Sequence, residues 1–137
     1  GEGAYLGESR IHVAAPVSLA EALIGTGFAY ASEMRGIQGA IVAGLLPKVR
    51  DIRRQGTASL DLSYVAAGRL DAYFERTLSP WDHAAGAIIA REAGAVVKGL
   101  GDAAPSREFI LAAEPGLAAL LEGELTALKV DQPPLSR

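Results

Sequence analysis

The sequence predicts a layered α/β domain with a mostly parallel sheet flanked by helices. Segments of helical spacing alternate with short apolar runs of strand length, the pattern of strands joined by crossover helices. Half of the residues are hydrophobic and 21% are charged, enough apolar material for a real core and too much for a disordered chain. A length of 137 residues suits one domain.

Residues 1–15 read as a turn at Gly7 and a strand in which Ile11 and Val13 alternate with Arg10 and His12. The apolar run Leu19–Gly25, closed by Gly25 and Gly27, reads as a buried strand. Ala29–Arg35 is a loop or a helix start. Ile37, Ile41, Leu45 and Val49 then recur at helical spacing, with Pro47 placed to kink or shorten that helix. Asp51–Arg54 is a connector or strand. Gly56-Thr57 opens a second helix with Leu60, Tyr64 and Ala67 on one face and Gly68 after its end. Leu70–Phe74 is strand-like and Glu75 follows it. Ser79 as N-cap and Pro80 at the first helical position start a third helix that stops at Gly94. Val96-Val97 and Phe109–Ala112 read as strands, and Pro115–Leu128 as a final amphipathic helix. From Val130, with Pro133-Pro134, the chain reads as a linker or disordered tail. The expected division is therefore residues 1–15, a junction turn and strand; 16–129, the α/β domain; and 130–137, a tail.

Bulk properties remove several function classes. Net charge is −3 and the only basic cluster is Lys48, Arg50, Arg53 and Arg54, which is no footprint for nucleic acid. Cysteine is absent, so disulfides and thiolate metal ligation are excluded, and a cytoplasmic location is expected. The longest apolar runs, Ala40–Leu46 and Ala84–Ala90, fall well short of the ~18 residues of a membrane span. No basic stretch followed by an apolar one opens the chain, so no signal peptide is expected. The opening Gly1-Glu2-Gly3 and a sole methionine at Met34 are expected for a fragment that follows an upstream segment.

Three places carry candidate chemistry. Asp82 falls in the first turn of the third helix, where free backbone N–H groups and the macrodipole favour the ionised carboxylate that a hard cation needs. The bland alternative is an aspartate that only stabilises a helix start. Gly56-Thr57-Ala58 exposes backbone N–H groups and a hydroxyl to a ligand oxygen, or is an ordinary N-cap. Glu75 ends a strand at the edge where open α/β sheets collect ligands, or is a solvated loop carboxylate. Small residues Ala84, Ala85, Gly86 and Ala87 are expected to let the third helix pack closely on a neighbour. His12 and His83 have no partners at zinc-ligand spacing, and Ser59 and Ser63 have no histidine at triad spacing.

Taken in order, Gly56-Thr57-Ala58-Ser59, Ala66–Glu75, and Trp81–Ile89 with Glu92-Ala93-Gly94 resemble the C-terminal signature of the inositol monophosphatase family. Gly3–Gly7 is similar to the turn between the family's halves. Arg107–Ala113 with Pro115-Gly116 is similar to its last strand and helix. The resemblance covers nearly all of this chain but about half of the family's length. It implies a phosphatase that hydrolyses small phosphate monoesters, inositol monophosphate first, with Mg²⁺. It makes Asp82 a metal ligand and Gly56, Thr57, Ala58 and Glu75 substrate contacts. The family's Glu-Glu pair and Asp-Pro-x-Asp-Gly-Ser/Thr motif, which supply most metal ligands, are absent. The 137 residues alone are therefore expected to be inactive. The missing half is expected to leave one side of the layer uncovered, and a homodimer is the expected assembly. Related activities on histidinol phosphate, fructose bisphosphate or nucleotide 3′-phosphates stay open. So does a non-catalytic binding or dimerisation module.

Overall fold

The computed structural model describes residues 1–133. Two short strands, β1 (Ala4–Leu6) and β2 (Ser9–Ile11), form a hairpin that turns at Gly7, whose φ of 61° suits glycine. The main body follows as β3 (Leu23–Thr26), α1 (Ser32–Leu45), β4 (Asp51–Arg53), α2 (Ala58–Ala66), β5 (Ala72–Glu75), α3 (Pro80–Glu92), β6 (Val96–Lys98), β7 (Ile110–Ala113) and α4 (Pro115–Ala127). The residues 19–21 expected in the first buried strand instead form a 3-10 turn, and β3 begins at Leu23. Beyond Leu45 the backbone tightens into a second 3-10 turn around Pro47, which has no N–H to continue α1.

The five strands lie in the order β4-β3-β5-β7-β6. β3 pairs in parallel with both β4 and β5, whereas β7 runs antiparallel to both β5 and β6. The α/β class is as expected, but the sheet is mixed. A loop joins β6 to β7, and only an antiparallel pair tolerates so short a return.

Alternation along the strands sends neighbours to opposite faces. Ala72 and Phe74 of β5 and Leu111 and Ala113 of β7 pack with Ile41 and Leu45 of α1 and Leu117, Leu121 and Leu125 of α4. Tyr73 of β5 and Ile110 and Ala112 of β7 pack with Leu62, Val65 and Ala66 of α2 and Ala87 and Ala90 of α3. Helices of this chain thus cover both faces of the sheet. The large apolar groups left exposed lie mainly on outer surfaces, among them Ile88 and Ile89 of α3 and Leu120 of α4.

Two details fix the layer next to the site. The buried face of α2 is Ala58, Asp61, Leu62, Val65 and Ala66; of the expected face, Leu60 is exposed and Tyr64 and Ala67 are only half-buried. The helix is apolar nearly all round, so spacing alone does not choose its buried side. Against it, a Cβ on Gly86 would meet Leu62 Cβ at 2.8 Å, so α3 reaches α2 only because residue 86 has no side chain. Gly86 and Ala87 serve this contact, while Ala84 and Ala85 are exposed.

The chain after α4 stays bound to the domain. Val130 is 2% exposed and sits in the core beside α4. Arg76, buried at the end of β5, donates to the carbonyls of Val130 (2.8 Å), Gln132 (2.8 Å) and Glu108 (3.1 Å). The tail expected from Val130 is therefore anchored at its start, and residues 134–137 lie outside the described residues.

Candidate active site

β3, β4 and β5 point the same way, so their carboxyl ends share one edge of the sheet. α1 covers one face and α2 the other, so the connections leaving β3 and β4 diverge there and open a crevice. A cleft of about 300 Å³ fills it. Residues 27–30 follow β3, residues 54–59 follow β4, Glu75 ends β5, and Thr77, Leu78, Trp81 and Asp82 follow it; all of these but Gln55 line the cleft. The sequence-predicted residues Gly56, Thr57, Ala58, Glu75 and Asp82 all lie on it.

Each is held in its own way. Gly56 has φ 91°, which lets the chain turn sharply from β4 into α2. Thr57 is the N-cap of α2, yet its hydroxyl makes no capping bond and instead meets Ser59 Oγ at 3.1 Å. The first N–H groups of α2 are therefore free of partners within the helix, at its positive end. Asp82 is the third residue of α3, and its Oδ2 accepts from the Ser79 N–H at 2.8 Å, closing a capping box. The cap holds the side chain in place and leaves Oδ1 for other work, so the bland and the functional readings of Asp82 are compatible.

Glu75 Oε1 accepts from the Tyr73 hydroxyl at 2.6 Å. Burial raises the Glu75 pKa most; the Tyr73 bond and Arg54 oppose this, and the charge of Asp82 adds to it. Tyr73 is fully buried, and burial and the neighbouring Glu75 raise its pKa, so it remains a donor. A Cβ on Gly27 would lie 2.2 Å from Glu75 Oε1, so the glycine after β3 makes room for this carboxylate.

Several cleft residues had no role assigned from the sequence. Arg54, counted above only within a basic cluster, lies 6.0 Å from the centre of the Phe28 ring and supplies the cleft's cation. Trp81, 82% exposed, stands at its rim. Beneath the floor, Asp61 of α2 is 1% exposed and its Oδ1 has no hydrogen-bond partner. Burial and the charge of Glu75 push its pKa up to about 7, against the pull of Arg54.

Among the described residues no three carboxylate or imidazole groups gather closely enough to hold a metal ion. The described residues therefore do not by themselves make a whole Mg²⁺ site. Asp82 offers one oxygen of the required kind, whereas Glu75 already holds the Tyr73 proton donor. Nor is any helix among the described residues long and apolar enough to cross a membrane.

A polar, carboxylate-bearing cleft at the carboxyl ends of parallel strands defines an α/β protein built to bind a small charged ligand there. The inositol monophosphatase family profile matches residues 1–131, and the chain belongs to that family. It is 46% identical over 132 residues to an inositol-1-monophosphatase of Mycobacterium leprae, covering 88% of this chain and 44% of that one. It is 48% identical over 98 residues to a putative Nus factor SuhB of Neisseria meningitidis, covering 71% and 38%. The fold is similar to that of Mycobacterium tuberculosis SuhB, with a TM-score of 0.79 and 42% identity over 90% of this chain and 48% of that one. The chain spans less than half the length of these relatives.

Proposed function

We propose that this chain is the C-terminal half of a Mg²⁺-dependent phosphatase that hydrolyses small phosphate monoesters, with inositol monophosphate as the leading substrate. The observation that carries the reading is the convergence of Gly56–Ala58, Glu75 and Asp82 on one cleft in a chain of this family. The free N–H groups opening α2 and the Thr57 hydroxyl suit substrate oxygens. Glu75, steadied by Tyr73, accepts from a hydroxyl of the leaving alcohol. Asp82 gives one anionic ligand to a site whose other carboxylates come from outside this chain. Mg²⁺ bound there supplies an activated water and neutralises phosphate charge. A cleft of about 300 Å³ suits a small polyol phosphate. Histidinol phosphate, fructose bisphosphate and nucleotide 3′-phosphates are the competing substrates, to be ranked by kcat/KM. A cytoplasmic homodimer remains the proposed setting, and light scattering on the purified protein tests the dimer.

The test compares phosphate release from inositol monophosphate at millimolar Mg²⁺ by residues 1–137 alone and by the chain joined to an N-terminal half. The expected result is silence from the first and turnover from the second. Turnover by residues 1–137 alone would mean that the metal site is complete within them. No turnover by the joined protein on any of these esters would sink the phosphatase reading.

The name of the Neisseria relative supports a second reading, a non-catalytic role of the kind that name denotes. Such a role would survive Asp82→Asn, whereas turnover would not.

A further inference from the structure

Between Glu75 and Asp82 the chain must leave the sheet and enter α3, and Thr77 makes that turn with φ 70°. Glycine adopts this conformation freely; a β-branched residue is the type least suited to it. The other non-glycine residue at positive φ among the described residues, Lys129, follows the C-cap of α4, where helices commonly end in this way. Thr77 has no such explanation. Its backbone is held on its N-terminal side: its N–H donates to the Arg107 carbonyl at 2.7 Å, and the side chain of Arg76 before it donates to three carbonyls. Strain of this sort persists only where the surroundings over-determine it, and it clusters at functional sites. Thr77 is half-buried and lines the cleft with Glu75 and Asp82.

We infer that Thr77 is a specificity-determining residue whose hydroxyl contacts a hydroxyl of the leaving alcohol beside Glu75, so that the cleft favours polyol phosphates over simple aryl phosphates. This rests on the phosphatase reading above. A threonine is kept where glycine would relieve the backbone, because glycine would give up the contact.

The test is made in the active protein, with the N-terminal half present. Thr77→Gly and Thr77→Ser are compared with wild type on inositol monophosphate and para-nitrophenyl phosphate, alongside Tm. The ratio of kcat/KM for the polyol ester to that for the aryl ester should fall about five-fold in Thr77→Gly, the size of one lost neutral hydrogen bond. Thr77→Ser should keep the wild-type ratio, and the Tm of Thr77→Gly should be no lower than wild type. An unchanged ratio in Thr77→Gly overturns the inference while leaving the phosphatase reading intact. A lowered Tm overturns it as well, because the side chain then serves the fold. A wild type that hydrolyses neither ester overturns both.

Discussion

Replacing Gly27 with alanine tests how the floor of the cleft is built. The new Cβ would lie 2.2 Å from Glu75 Oε1 and 2.6 Å from its Cδ, closer than side chains pack, so the carboxylate must swing away. The backbone itself accepts the change, since Gly27 is not among the residues at positive φ. Alanine there gains about 0.4–1 kcal/mol by restricting the unfolded chain. Against this, the 2.6 Å bond from Tyr73 is broken and a fully buried hydroxyl loses its acceptor. A hydrogen bond to a charged group contributes about 1.5–3 kcal/mol. The net loss is about 1–2 kcal/mol, seen as a Tm lower by about 5 °C in thermal unfolding of residues 1–137 followed by circular dichroism. The same substitution made in a Glu75→Ala chain should cost nothing, because the obstructing group is gone. An equal loss in both backgrounds would refute the reasoning, since the methyl would then clash with something other than Glu75. No loss in the wild-type background would refute it too.

Three further outcomes are expected. Burial pushes the Asp61 pKa in the folded chain up to about 7 from its ordinary value of 3.8, so the native state holds its proton more tightly, and stability falls as pH rises from about 4 to 7. Asp61→Asn should remove that fall, by up to roughly 4 kcal/mol at pH 8 and far less at pH 5; parallel urea midpoints for mutant and wild type across this range would show otherwise. Gly86→Ala should destabilise the chain by about 1–3 kcal/mol, because its Cβ presses on Leu62, and an unshifted urea midpoint would mean that α2 and α3 can part cheaply. In the chain joined to an N-terminal half, Asp82→Asn should keep a cap oxygen for Ser79 yet, on the proposed metal-ligand role, lower kcat by about 100-fold or more, and near-normal turnover would refute that role.

Local chemistry made much of this readable in advance. Ser79-Pro80 and Gly94 frame α3 because capping is a property of a few neighbouring residues, and α3 runs Pro80–Glu92 as that framing requires. The same holds for Gly56-Thr57 ahead of α2. Strand direction is different: nothing in Ile110–Ala113 records that β7 opposes its neighbours, since an apolar run reads alike in both senses. The buried side of α2 was hidden because both sides are apolar. The residues that complete the cleft were hidden by distance along the chain. Gly27 has meaning only once Glu75 is beside it, and Arg54 only once Phe28 and the cleft are in place. Asp61 sits in an apolar helix without any motif, and only its burial marks it.

The clamp made by Arg76 bears on where this molecule can be cut. Glu75 and Arg76 are consecutive residues of one strand end, the first lining the cleft and the second gripping the carbonyls of Val130 and Gln132. A truncation after Lys129 would strip two acceptors from a buried guanidinium and remove a core valine, and the disturbance would arrive one peptide bond from the cleft. A protein engineer trimming the C-terminus should therefore stop no earlier than Gln132, and a fusion partner belongs beyond that residue.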